Sequence, residues 1–182
     1  PASLASKAYD LFRDAGQAEE AIQCQEFMAL YRFQQKNMQA ARSHLSIIIG
    51  IKDFWRDSRI QIMAEICAAS ICFYMDNLSE CMEHFHKAIA TATEIDSWPA
   101  IAVCNAHLAA KMSMDDSKLG AMLTSNGKTR TVADFCIECL NFAIKIAGSE
   151  GNNQMKSDAL EVLSTIYSKT GDISFCGKSI SH

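Results

Sequence analysis

A repeat of about forty residues is the feature that most constrains how this chain can fold. Small residues recur at Ala29, Ala69 and Ala109, and a fourth, Ser164, follows after a step of 55. A repeat unit of this length is typically a pair of antiparallel helices that cannot bury its apolar face alone and therefore stacks on its neighbours. The series predicts a stacked array of helix pairs, with an insertion between the third and fourth copies.

A second series of small residues has the same period and falls on the other helix of each pair. Its members are Ala41, Cys81, Cys136 and Cys176. The step from Cys81 to Cys136 is again 55, which places about fifteen extra residues within the third repeat, between Leu108 and Cys136. The stretch 113–128 is the insertion, because it is rich in Gly, Ser and Asn. Small residues are needed where two helix backbones come closest, so we expect both series to be buried.

Turn residues and helix caps agree with this period. Ser97-Trp98-Pro99 combines a capping residue with an early proline at the start of one helix, and Asp57-Ser58 precedes the corresponding helix of the previous pair. Thr131 followed by Asp134 resembles a capping box. We therefore predict an all-α chain, an α-solenoid of antiparallel helix pairs with about nine helices. These helices are expected near residues 2–15, 18–36, 38–52, 58–75, 78–95, 98–113, 130–148 and 153–170, with a ninth starting near 173.

In the last unit, large, small and aromatic residues precede a Gly-Asp turn and a further small residue, in the order Leu160, Leu163, Ser164, Tyr167, Gly171, Asp172, Ile173 and Cys176. This pattern resembles the tetratricopeptide repeat. The period departs from the family's usual length of about 34 residues. The resemblance implies one tetratricopeptide-like domain over residues 1–182. Because its first helix and its last unit lack partners, we expect the chain to be a piece of a longer solenoid.

Composition excludes several other classes of protein. Apolar residues make up 49% and charged residues 21%, which argues against disorder. The net charge of −4 without a basic run argues against direct nucleic-acid binding. The apolar runs are too short for membrane insertion, and no secretion signal begins the chain. We expect an intracellular protein, cytoplasmic or nuclear, whose eight cysteines are reduced and mostly buried.

The resemblance also implies where a partner would bind. Tetratricopeptide arrays present the first helix of each pair, helix A, on a concave face, and an apolar helix or extended peptide would fit that face. The positions predicted to contact the partner are Leu30, Phe33, Met63, Ile66, Phe73 and Tyr74, with Glu26, Ser70, Val103, Ala106 and Ala110 on the same face. The open alternative is that these residues pack on neighbouring helices.

Motifs with chemical potential are few. Cys136 and Cys139 have the C-x-x-C spacing of zinc and redox sites, but no second pair accompanies them, and Cys136 is already explained as a packing residue. His84 and His86 are interpreted as a solvated pair rather than metal ligands with Cys81. We therefore expect no catalytic residues, no metal and no cofactor.

These observations favour a non-catalytic scaffold that binds a partner protein as one subunit of a larger assembly. The alternative is a regulatory sensor that encloses a small peptide or effector and changes its curvature, with Arg32, Glu26 and Glu65 as polar anchors. The insertion 113–128 is expected to be a mobile loop, or otherwise a modification target or second contact surface.

Overall fold

The computed structural model describes residues 2–171, and within them the chain is all-α apart from one small hairpin. Eight α-helices follow one another through this range: α1 Ala2–Asp14, α2 Ala18–Gln34, α3 Met38–Phe54, α4 Ser58–Tyr74, α5 Leu78–Glu94, α6 Trp98–Ser113, α7 Val132–Ser149 and α8 Asn153–Thr170. The predicted helical repeat arrangement is confirmed. The ninth helix, expected to start near residue 173, lies outside the described residues.

The helices form two compact units, one ending at Asp96 and the other beginning at Ser97. In the first unit each of α1 to α4 packs on the helix that follows it, and α2 also packs on α4. In the second unit α6 packs on α7, α7 on α8, and α6 also on α8. In each unit, therefore, the A helices contact one another as well as their own partners. A single domain spanning both units stays a prediction.

The small residues of the forty-residue period are buried, as predicted, in the first three repeats. Ala29, Ala69 and Ala109 on the A helices have no solvent-exposed surface. The same holds for the helix-B residues Ala41, Cys81 and Cys136. The fourth copy differs, because Ser164 is exposed. Cys176, its expected counterpart on the next helix, lies outside the part of the chain that the structure describes.

Most turns between helices end at a residue in the left-handed conformation, followed by a capping side chain. Lys36, Asp76 and Asp96 have φ values of 59°, 59° and 50°. The next residue in two of these turns, Asn37 or Asn77, accepts a hydrogen bond from the third residue beyond it. A left-handed residue ends the helix before it, and the capping side chain satisfies a free backbone N–H group of the next helix.

The insertion is ordered by its own backbone hydrogen bonds rather than being an open loop. A short 3₁₀ helix, Asp116–Lys118, precedes an antiparallel hairpin of β1, Met122–Ser125, and β2, Lys128–Thr131. Ser125 pairs with Lys128, so Asn126 and Gly127 form a two-residue turn in which both have positive φ. The expectation of a loop over 113–128 is wrong at this point, because Asn-Gly is a strong hairpin signal.

The insertion also packs against its own unit. Leu119 and Leu123 are 5% and 3% exposed, and the Val132 N–H group donates to the Ala121 carbonyl at 2.8 Å. Lys169 of α8 forms an ion pair with Asp116 at 2.5 Å and donates to the Ser113 carbonyl at 3.0 Å. The inserted residues are therefore part of the folded unit.

No helix within residues 2–171 has both the length and the apolar character needed to cross a membrane.

Candidate functional site

An apolar groove lies between α6 and α8, the two A helices of the second unit. Its volume is 390 Å³, within the range of small binding sites. Small and β-branched side chains line it: Val103, Ala106, Ala110, Ala159 and Val162, with Met155 and Leu140. Because alanine has a short side chain, another chain can approach the helix backbones closely along this line. Val103, Ala106 and Ala110 are three of the positions predicted to share the concave face, and the structure brings them together.

Polar side chains stand along one edge of this groove. Asn152, Gln154 and Asp158 are exposed at the start of α8. The Gln154 amide donates to the Asp158 carboxylate at 2.7 Å, and the Asn152 side chain accepts from the Met155 N–H group at 3.0 Å. An apolar floor beside a polar rim is the arrangement of a protein-interaction surface.

The six partner-contact residues predicted in the first unit do not form one open surface. Ile66 and Phe73 are only 4% and 0% exposed, so in this structure they are core residues. The other four are half-buried: Leu30, Phe33, Met63 and Tyr74. The Tyr74 ring meets the Phe73 ring edge-on, with centroids 5.6 Å apart. The burial of α4 agrees with its almost uniformly apolar sequence, which leaves no polar face for solvent. Partner binding by these residues stays a prediction.

A buried ionic network, which the sequence analysis missed, joins three helices of the first unit. Glu65 of α4 accepts a hydrogen bond from Lys52 of α3 at 2.8 Å and lies 2.6 Å from His84 of α5. Burial alone would raise the pKa of Glu65, but hydrogen bonds from His84 and Lys52 outweigh burial and lower this pKa. Glu65 is therefore ionised, and the His84 ring donates to it through Nδ1. The expectation of a solvated His84 is wrong, because this ring is only 8% exposed.

The same contact occurs one repeat earlier. The Nδ1 atom of His44 lies 2.8 Å from the Gln25 side-chain oxygen, and these residues precede His84 and Glu65 by 40 each. A polar residue on helix A paired with a histidine on helix B is thus shared by these two successive helix pairs. Matching the histidines through the forty-residue period, rather than by closeness along the chain, would have found it.

The proposed sensor anchors do not converge on an open pocket. Both Glu65 oxygens are engaged by the chain's own side chains, and Glu26 is buried. Arg32 is half-buried and hydrogen-bonds to Gln35 on the surface at 3.2 Å. These contacts hold side chains of the fold and give the sensor alternative no additional support.

The cysteines within residues 2–171 are free thiols, and six of the seven are buried. In the C-x-x-C pair, burial raises the pKa of Cys136 to about 12 and raises that of Cys139 further. A thiol that stays protonated at neutral pH is a poor nucleophile. The interpretation of Cys136 as a packing residue agrees with its full burial.

A larger and more polar cavity, of 750 Å³, lies between the insertion and the end of α8. Asp116, Asp134 and Lys169 are in its wall. Lys169 is already paired with Asp116, and Asp134 accepts a hydrogen bond from Thr131 at 2.7 Å. These charges serve the packing of the insertion, so the apolar groove is the better candidate for an interaction site.

Comparison with protein-family models and with curated proteins finds no match to this chain. The fold therefore defines a class, an all-α helical repeat protein, and the resemblance to the tetratricopeptide repeat stays a prediction.

Proposed function

We propose that this chain is a non-catalytic interaction module that holds an apolar segment of a partner protein along its A helices. The observation that supports this function best is the groove between α6 and α8. It combines an apolar floor with a polar rim and uses positions expected to face a partner. We infer that the module belongs to the tetratricopeptide class and serves as one subunit of a larger assembly.

The groove favours an amphipathic helix or an extended peptide as its occupant. Its apolar floor would take the occupant's aliphatic side chains, which contribute about 25 cal/mol for each Å² of apolar surface buried. Val103 is 48% exposed, and this apolar surface would be removed from water when the partner binds. The rim residues Asn152 and Asp158 would meet polar or basic groups beside the apolar ones.

Site-specific photo-crosslinking tests this function. A photoreactive amino acid at Val103 should form an adduct with one discrete partner in cells that express the full chain. The same amino acid at Asn141, an exposed position on α7 outside the groove lining, is the matched control and should not form that adduct. Adding Ala110→Glu should reduce the Val103 adduct by at least about tenfold, since it places an unpaired carboxylate against an apolar ligand. Far-UV circular dichroism should show that the Ala110→Glu variant has the same helicity as the wild-type chain.

Two results would contradict the proposal. An adduct formed equally at Val103 and Asn141 would show no preference for the groove. A Val103 crosslink entirely within the chain itself would show that the chain's own residues fill the groove. The second result is the packing alternative that the sequence leaves open.

A further inference from the structure

Three metal-ligating side chains meet between α4 and α5 of the first unit. The Cys72 sulfur, a Glu80 carboxylate oxygen and a His84 ring nitrogen all lie within 4.8 Å of one another. Glu80 and His84 are one turn apart on α5 and share a face, while Cys72 comes from α4. Cys72 is 1% exposed, and the Glu80 side chain is 32% exposed, so the cluster opens to solvent on the Glu80 side.

The His84 ring is already oriented for such a role. Its Nδ1 atom is engaged by Glu65 at 2.6 Å, which leaves Nε2 as the atom able to bind an ion. Glu65 is itself fixed by Lys52 at 2.8 Å. A carboxylate that receives the second ring N–H of a ligating histidine is a recurrent feature of zinc sites, where it sets the tautomer and strengthens the ligand.

We propose that Cys72, Glu80 and His84 bind a Zn²⁺ ion that joins α4 to α5, with water as the fourth ligand. Sulfur, imidazole nitrogen and carboxylate oxygen are the ligands that zinc takes in tetrahedral sites. Zinc–ligand bonds of about 2.0–2.3 Å place the ligand atoms about 3.4–3.7 Å apart. The separations within 4.8 Å are to one nitrogen of the His84 ring, and side-chain movements that turn Nε2 toward Cys72 and Glu80 complete the geometry.

The binding step exchanges a proton for the ion. The Cys72 thiol is hydrogen-bonded to Glu80, and burial together with the Glu80 charge raises its pKa to about 12. Zn²⁺ forms a bond to the sulfur, the S–H bond breaks, and one proton leaves to solvent. Arg42, 3.9 Å from Glu80 and half exposed, can turn into water as the ion enters. Asn77 donates to Glu80 at 2.6 Å and holds this carboxylate in place.

Comparison with the preceding helix pair, α2 and α3, distinguishes the residues that serve packing from those that would bind the metal. Forty residues earlier, Gln25 and His44 keep the contact made by Glu65 and His84. The positions equivalent to Cys72 and Glu80 are there occupied by Arg32 and Ala40, neither of which can serve as a zinc ligand. The histidine contact is therefore shared with the preceding pair, whereas the cysteine and carboxylate ligands are not. This site lies beyond the groove of the proposed function and does not depend on it.

Cobalt titration of the full, chelator-treated chain tests the site. Co²⁺ should bind with the near-ultraviolet thiolate charge-transfer band and the intense visible bands of a tetrahedral site, and Zn²⁺ should remove both. Cys72→Ala should abolish the charge-transfer band. Cys67→Ala, which changes a buried cysteine on the same helix outside the cluster, should retain it. Glu65→Gln, which copies Gln25, should weaken Zn²⁺ binding by about 10- to 100-fold without removing the band.

Thermal unfolding supplies a second readout. Zn²⁺ at about one hundred times its Kd should raise the Tm of the wild-type chain by roughly 5–10 °C and leave that of Cys72→Ala unchanged. A cobalt spectrum without a thiolate band would overturn the proposal. So would a band that survives Cys72→Ala, since other thiols would then hold the ion. If Cys72→Ala fails to fold, Glu80→Gln should still weaken Zn²⁺ binding, and an unchanged affinity there would also contradict the site.

Discussion

Glu65 shows how much of the first unit depends on one buried charge. Its two oxygens contact Lys52 and His84 on the helices to either side, and its side chain is only 4% exposed. Such a group is costly to bury unless both partners remain, so removing one member leaves the others uncompensated. The sequence analysis named Glu65 only as a polar anchor of the sensor alternative. It did not find the partners Lys52 and His84, because they lie on the two neighbouring helices and only the packing of those helices brings them to Glu65.

Replacing Glu65 by alanine should therefore destabilise the protein strongly. We expect Glu65→Ala to lower the free energy of unfolding by about 3–5 kcal/mol, because Lys52 and His84 then lose their buried partner. Urea denaturation with a chelator present measures this without any contribution from a bound metal. Glu65→Gln is the control and should lose less, since Gln25 makes the same contact with His44. A loss below about 1 kcal/mol for the alanine variant would mean that the network contributes little to stability.

Among the secondary-structure elements, the helices were predicted from the sequence far more accurately than the hairpin was. Repeat spacing and caps placed the described helices with ends within about two residues of the structure, which is the usual uncertainty of helix boundaries. The hairpin formed by β1 and β2 was missed, because its strands are only four residues long and carry a weak apolar alternation. The sequence signal for the hairpin was Asn126-Gly127. It was interpreted only as part of a loop, so the pairing of the strands on either side was not predicted.

A substitution in the turn of this hairpin, at Gly127, tests the hairpin structure directly. Gly127 has φ +73°, a conformation that costs a residue with a side chain about 1–2 kcal/mol. Gly127→Ala should therefore speed hydrogen exchange at the Leu123 and Val132 amides by about tenfold, since the strands open more often. Gly120→Ala is the matched control in the same insertion, because a Cβ there meets nothing within 4 Å and no positive φ is recorded. Equal exchange in both variants would contradict the described turn.

Across the described residues of both units, most of the cysteines are core residues. Six of the seven in residues 2–171 are buried, and Cys24 on α2 is the exception. Burial raises the pKa of Cys104 and Cys136 to about 12, which leaves little reactive thiolate at neutral pH. The expectation of mostly buried thiols is confirmed for these residues. For Cys81 and Cys136 the repeat spacing predicted this burial, since these cysteines occupy positions that require a small apolar residue.

Thiol labelling should follow this distribution. In a Cys176→Ser background, which removes the cysteine outside the described range, brief alkylation of the folded protein should modify Cys24 first. The six buried thiols should react only as fast as the structure opens, and urea should bring all seven to similar rates. Peptide mass spectrometry assigns each modified position. Rapid labelling of Cys136 or Cys139 in the folded state would contradict their burial.

The hairpin also affects how this chain can be altered. Its strands satisfy each other's hydrogen bonds, its leucines are covered, and α6 and α7 pack together on either side of it. Residues inserted at the exposed Asn126-Gly127 turn would therefore leave the packing of α6 on α7 unchanged, since lengthening a loop costs little free energy. This tip is thus a natural place to graft a reporter or affinity tag inside the repeat array while both of its ends are left untouched.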